Sequence, residues 1–328
     1  MPLLPYLTKL TARESLSELE AQQAMQFILD GQASTPQIAA FLAALKTKGE
    51  TADELTGFAR VMRGKANRVR VRTDGPLVDT CGTGGDASGT INISTIAAFV
   101  VAGAGVAVAK HGNRSVSSRF GSADLMEALG VRIDMSPEES ARAIEQVGIG
   151  FLFAPAIHPA MKHASAARQE LRMRTAFNLL GPLTNPAGAR AQVVGAPTLQ
   201  AAALMAESLH RLGLKQGLVV HGSDGLDEIT TTGPTTAWRV GGEQFTLTPE
   251  DFGVPRATIE ALRGDPLAAA HAVLGGAPGA WRDIVLVNSA AALVTAGAAA
   301  NWLDGMAQAA AAIDSGAARA KVDQLKAV

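Results

Sequence analysis

Asp79-Thr80-Cys81-Gly82-Thr83-Gly84-Gly85-Asp86 follows the apolar pair Leu77-Val78 and leads, past Gly89, into Asn92-Ile93-Ser94-Thr95 and the uncharged run Ile96 to Ala109. Four glycines between positions 82 and 89 mark a backbone that takes up left-handed conformations and lets another group approach closely. A strand, a glycine loop and a helix start aim unpaired amide N–H groups and the positive helix end at one point, which makes an anion cradle. Taken alone, such a cluster is more often a tight strand-to-helix turn in an ordinary α/β protein.

It is not alone. Directly after the apolar run come Lys110-His111-Gly112-Asn113-Arg114-Ser115-Val116-Ser117-Ser118, then Gly121-Ser122-Ala123-Asp124. Lysine supplies a point charge and arginine a planar fork, and both suit phosphate oxygens. Serine hydroxyls and glycine amides complete the neutral hydrogen bonds. The two halves together read as a site for a multiply phosphorylated ligand.

Outward from this centre, the 328 residues are enough for two domains and a buried core. Hydrophobic residues make up 47% and charged residues 18%, a globular rather than a disordered composition. A net charge of −1 gives no global basic field for nucleic acid or membrane, so neither is expected as a partner. The single cysteine, Cys81, forms no intrachain disulfide and fits a reducing compartment. Met1 to Leu10 lacks the basic start and apolar core of a signal peptide, and Ile91 to Ala109 is too interrupted by polar residues and glycine for a membrane span. The expected location is cytoplasmic.

Residues 1 to about 70 read as helices. Thr11/Glu14 and Thr51/Glu54 have capping-box spacing, and Thr35-Pro36 reads as an N-cap with proline at the first helical position. Ile38, Phe41, Leu42 and Leu45 form one apolar stripe, and Leu55, Phe58, Ala59 and Met62 another. Strands and helices then alternate. Ser136-Pro137-Glu138-Glu139 opens a helix, while Phe151 to Phe153, Val193 to Gly195 and Gly217 to Gly222 read as strands. Near the end, Thr235 to Val240 and Phe245 to Leu247 read as a strand pair, and Asp283 to Asn288 as a further strand. Ala290 to Leu303 and Met306 to Leu325 read as alanine-rich helices, with His271 assigned to packing. The adjacent acids Asp227-Glu228 follow a strand and would suit magnesium, which shares its shell with waters and phosphates. Most such pairs are merely solvated turns.

The blocks Cys81-Gly-Thr-Gly-Gly-Asp86, Asn92-Ile-Ser-Thr95, Lys110-His-Gly-Asn-Arg114 and Gly121-Ser-Ala-Asp124 resemble, in order and spacing, those of the anthranilate phosphoribosyltransferases. The resemblance extends over nearly the whole chain. It implies a small all-helical domain plus a larger α/β domain with a mostly parallel central sheet, the nucleoside phosphorylase/phosphoribosyltransferase class. The expected division is 1–72, with a helical return at about 166–187, against 73–165 and 188–328. The implied reaction is phosphoribosyl transfer from 5-phosphoribosyl 1-pyrophosphate (PRPP) to the amino group of anthranilate, a step of tryptophan biosynthesis.

By the same resemblance, Gly82, Gly85, Asp86, Thr90, Asn92, Ile93, Ser94 and Thr95 hold the donor. Lys110, His111, Gly112, Asn113, Arg114, Ser115, Val116, Ser117, Ser118 and Ser122 join them. Gly82, Asn113 and Arg168 contact anthranilate, a guanidinium being a natural partner for an aryl carboxylate. Ser94, Asp227 and Glu228 hold magnesium, two ions in the family, and His111 orients the amine or relays its proton. A homodimer through the helical domain is also implied. The chain departs from the family's pattern at Ala166, where proline is usual, and at Arg172, where glycine is usual. These departures bear on the hinge and the acceptor pocket. A pyrimidine nucleoside phosphorylase shares the implied fold, but its lysine-rich signature is replaced here by Lys110-His-Gly-Asn-Arg114.

Overall fold

The computed structural model describes residues 2–84, 88–114 and 120–328. The chain opens with four helices: α1 (Leu4–Thr11), α2 (Glu18–Leu29), α3 (Thr35–Lys48) and α4 (Ala52–Lys65). Both apolar stripes face inward, since Ile38, Phe41, Leu42, Leu45, Leu55, Phe58, Ala59 and Met62 are all buried. The Thr51/Glu54 box forms as expected, and Glu54 reaches further: its carboxylate also accepts from the Leu16 amide (2.9 Å) and pairs with Lys48 (3.0 Å). Thr11/Glu14 does not cap. Thr11 ends α1 and its hydroxyl bonds back to Leu7 and Thr8 carbonyls, so the cap of α2 is Ser17 with Glu20. Likewise Ser34, not Thr35, precedes α3.

The α/β part follows as β1 (Leu77–Gly82), α5 (Ile93–Gly103), β2 (Ala107–Gly112), α6 (Ser122–Ala128), α7 (Pro137–Val147) and β3 (Ile149–Phe153). A one-turn α8 (Ala154–Ile157), α9 (Lys162–Leu171) and α10 (Ala176–Leu183) return to the helical bundle. There α9 packs on α2 and α3, and α10 on α3 and α4. The sheet resumes with β4 (Ala191–Gly195), α11 (Leu199–Arg211), β5 (Gln216–Gly222), β6 (Thr235–Arg239) and β7 (Gln244–Leu247). Then come α12 (Pro266–Leu274), α13 (Ala280–Thr295), α14 (Trp302–Asp314) and α15 (Ala317–Lys326).

Among the described residues the sheet has seven strands ordered β3-β2-β1-β4-β5-β6-β7. The first five are parallel and the β6–β7 hairpin is antiparallel. Side chains alternate across it, as strand geometry requires. Val78, Val108, Val193, Leu218 and Val220 face the core built on α5 and α13, while Cys81, Val194 and Val219 face the core shared with the helical bundle. Chain order runs outward from β1 to β3, then restarts at β4 on the other side of β1. That reversal is a topological switch point, where the strand ends leave a crevice.

Asp283 to Asn288 is not a strand. It lies inside α13, whose residues from Ile284 to Leu293 are buried. A helix enclosed on all sides by α5, α14 and the sheet needs no polar face, so its apolar run shows no helical period and mimics a buried strand. The expected helix from Met306 to Leu325 is two helices, broken where Gly316 takes a φ of 77°.

Candidate active site

The crevice at the switch point is a cavity of about 910 Å³ lined from both halves of the molecule. Gly82, Thr90, Asn92 to Thr95, Lys110 to Arg114, Ser122, Arg168, Asp227 and Glu228 all line it, though they come from distant parts of the chain. Gly85, Asp86, Ser115, Val116, Ser117 and Ser118 lie outside the described residues.

The loop after β5 brings Asp227 across the ends of β1 and β4. A Cβ at Gly82 would stand 2.5 Å from Asp227 Oδ2, and one at Gly195 would run into the Asp227 carbonyl oxygen. Glycine at both strand ends therefore makes room for the acidic loop. Asp227 Oδ2 accepts from the Gly84 amide (2.7 Å), and Glu228 Oε1 accepts from the Ser94 amide at the start of α5 (3.1 Å). The helix start and the glycine loop are thus already oriented around carboxylates. Among the described residues no group of three or more His, Cys, Asp or Glu could cage a metal. The two carboxylates are hard oxygen ligands, with Ser94 lining the same cavity, and this chemistry fits magnesium, which completes its shell with waters and ligand phosphates.

Lys110 is almost wholly buried on β2. Its ammonium donates to the Thr80 carbonyl and to Ser94 Oγ (3.3 Å) and has no ion pair within the described residues. A positive charge held by neutral acceptors at a cavity wall is available to an anion. The acid of this neighbourhood is Asp79, which sequence reasoning passed over. Fully buried in β1, it accepts from the His111 amide (3.2 Å) and from Asn185 (2.8 Å), and burial raises its pKa. An aspartate inside an apolar strand was the signal that could have found it. Burial also raises the Cys81 thiol well above its ordinary value, which leaves a packing residue and no nucleophile.

His111 stands between β2 and α10. Its Nδ1 lies 3.2 Å from the Gly181 carbonyl, which can only accept, so Nδ1 carries the proton and Nε2 keeps a lone pair. That Nε2 has no partner among the described residues. Burial lowers the His111 pKa to about 4, and His158, whose ring centroid is 5.2 Å away, to about 3. Both imidazoles are neutral near pH 7.

Arg168, near the end of α9, points its guanidinium over the Phe177 ring at 5.2 Å. It has no carboxylate partner among the described residues, and burial lowers its pKa. Arg114 differs. It is exposed and occupied by Glu127 (2.5 and 2.8 Å) and Asp124 (2.9 Å), so a phosphate would have to compete for it. The Asn113 amide N–H donates to Ser122 Oγ (3.1 Å), binding the two blocks together. Arg172 ends α9 at φ 46°, the left-handed position where glycine is usual. Further walls come from Phe177, Asn178, Gly181 and Pro182 on α10 and from Gly264, Asp265 and Pro266 at the start of α12, none of which the sequence reading assigned to the site.

Residues 74–319 match the glycosyl transferase family a/b domain, and residues 4–66 match its helical bundle domain. The chain is 61% identical to the anthranilate phosphoribosyltransferase of Solibacter usitatus, over 99% of this chain and 98% of that one. The crystal structure of anthranilate phosphoribosyltransferase from Thermus thermophilus superposes with a TM-score of 0.93 at 44% identity, covering 100% of this chain and 99% of that one. The enzyme from Saccharomyces cerevisiae in complex with PRPP and Mg superposes with a TM-score of 0.91 at 27% identity, covering 99% and 98%.

Proposed function

Because the chain belongs to the anthranilate phosphoribosyltransferase family, we infer that its central cavity brings a phosphoribosyl donor and an aromatic amine together. The enzyme transfers the phosphoribosyl group of PRPP to the amino group of anthranilate, giving N-(5-phosphoribosyl)anthranilate and pyrophosphate, the second step of tryptophan biosynthesis from chorismate. One observation carries the reading at residue level. Asp227 and Glu228 lie against the glycine loop and the α5 start, in the same cavity as Lys110 and as Arg168, which has no carboxylate partner among the described residues.

An aryl amine is neutral near pH 7, so the nucleophile needs no prior deprotonation. The hard part is the departing pyrophosphate and the positive charge that grows on the ribosyl carbon. Catalysis is then mainly positioning and charge neutralisation. In this proposal Gly82, Gly85 and Asp86, with Thr90 and Asn92 to Thr95, bind one end of the donor. Lys110 to Ser118 and Ser122 bind the rest, Lys110 by charge. Ser94, Asp227 and Glu228 would hold magnesium, two ions by analogy with the family, and a bound ion would neutralise pyrophosphate oxygens. Gly82 and Asn113 face the acceptor, and Arg168 takes its carboxylate in a paired hydrogen bond. His111, which lines the cavity, orients the amine or receives its proton after attack. A protonated aryl amine is strongly acidic, so an imidazole with a pKa of about 4 suffices.

The proposed division of labour follows 1–72 with the return at about 166–187, against 73–165 and 188–328. Closing one part on the other would exclude water from the activated ribosyl carbon. A homodimer through the helical domain is supported by Leu4 and Leu19, large apolar side chains exposed on α1 and α2. No described helix is long and apolar enough to cross a membrane, and a cytoplasmic location suits a charged donor that does not cross lipid.

The test is a balance of products. Purified protein with PRPP, anthranilate and magnesium should release pyrophosphate and phosphoribosylanthranilate in equal amounts, and should leave pyrimidine nucleosides with orthophosphate untouched. Phosphorolysis of a nucleoside without pyrophosphate release would replace this reading by a phosphorylase of the same fold.

A further inference from the structure

We propose that Asn288, on α13, is a positioning residue that sets the carboxylates Asp227 and Glu228 for metal and donor; this rests on the reading of that pair given above. Asn288 is 3% exposed in the middle of a helix core that is apolar but for the neighbouring Ser289, whose hydroxyl bonds back to the Val285 carbonyl. An amide there is a poor helix former and costs desolvation unless every polar atom is bonded. Each is. Asn288 Oδ1 accepts from the Ile229 amide (3.0 Å), and Nδ2 donates to the Ile229 carbonyl (2.9 Å) and the Ile284 carbonyl (2.9 Å).

Ile229 directly follows Glu228. Three successive residues of the loop are therefore pinned from three different elements: Asp227 by the glycine-loop amide of Gly84, Glu228 by the Ser94 amide on α5, and Ile229 by Asn288 on α13. The α13 helix itself packs on α5 and β4, so the clamp is anchored in the body that carries Ser94. Residues that hold metal-binding carboxylates from behind commonly tune metal affinity about ten- to a hundredfold. A purely structural amide would lower stability and leave that affinity alone.

The test measures PRPP binding by calorimetry, without anthranilate, across a magnesium series for the unmodified protein, Asn288→Leu and Glu228→Gln. Asn288→Leu should raise the magnesium needed for half of the full donor affinity by about tenfold or more, while the anthranilate KM at saturating magnesium and donor stays within about twofold. If Asn288→Leu folds and keeps the unmodified magnesium dependence while Glu228→Gln loses it, the positioning role is overturned and the metal reading stands. If Glu228→Gln also keeps it, the metal reading falls and this proposal with it. Should Asn288→Leu fail to fold, hydrogen exchange of the unmodified protein without donor or metal decides. Slow exchange at the Ile229 amide supports a clamp set in advance, and exchange as fast as an exposed loop amide overturns it.

Discussion

Arg168 directs its charge into the cavity, with the Phe177 face on one side and no carboxylate partner among the described residues. Alanine there should raise the anthranilate KM about ten- to a hundredfold, the worth of a charge-assisted hydrogen bond, and leave the PRPP KM within about twofold. Initial rates with each substrate varied in turn check this, and equal losses for both substrates would remove Arg168 from the acceptor end. Arg172 tells a different story. At φ 46° it holds a left-handed conformation that costs a side-chain-bearing residue on the order of 1 kcal/mol. Arg172→Gly is therefore expected to stabilise the protein by about 1 kcal/mol in denaturant titration; a loss of stability would mean that the side chain is bonded in a way that outweighs the strain. At this scale the sequence was legible where residue type matches task. Lys110 suits an anion by its residue type, whereas Arg168 and the Asp227-Glu228 pair were singled out through the family resemblance, and the structure brings all of them to one cavity. Asp79 and the lone pair of His111 did not, because their meaning depends on burial and on the Gly181 carbonyl, 70 residues away in sequence.

Strand ends and loop starts carry the site, so the sharpest tests at the element scale are steric. Gly195 closes β4 beneath the Asp227 backbone, and an added methyl would collide with a carbonyl oxygen that cannot swing aside. Gly195→Ala should retain its helical circular dichroism yet lose activity by about a hundredfold, the cost of a carboxylate displaced by about 1 Å. Activity near that of the unmodified protein would show that the loop has slack and that its position is less demanding than argued. The elements most legible in advance were amphipathic helices such as α3 and α4, whose stripes meet one core on one side. The least legible was α13. Being enclosed, it shows no polar period, and its aliphatic run Ile284-Val285-Leu286-Val287, three of the four β-branched, reads as a strand until its neighbours are known. The start of α2 was misread for a nearer reason, since Thr11 has the box spacing with Glu14 but ends α1, and Ser17 with Glu20 supplies the cap instead.

For the molecule as a whole, the two buried neutral histidines set a pH limit. Their folded pKa values of about 4 and 3 lie below the unfolded value near 6.5, so the unfolded chain binds more protons throughout that window. Stability is full above about pH 6.5 and falls as the pH drops towards 4, by on the order of 2 kcal/mol per histidine at pH 5. Calorimetric midpoints at pH 7 and pH 5 should differ accordingly, and His158→Gln should narrow the gap; an unchanged gap would assign acid sensitivity to other groups. The mostly parallel sheet was expected from the family resemblance, and the alternation of strands and helices agrees with it. Its strand order was not, because the return of β4 to the side of β1 is decided by packing between segments far apart in the chain. That return creates the crevice in which donor, acceptor and metal are proposed to meet. The most direct test follows anthranilate fluorescence with purified protein, PRPP and magnesium, each omitted in turn. The signal should decay in the complete mixture alone. A steady signal in the complete mixture, or a decay that survives removal of magnesium by a chelator, would contradict the account.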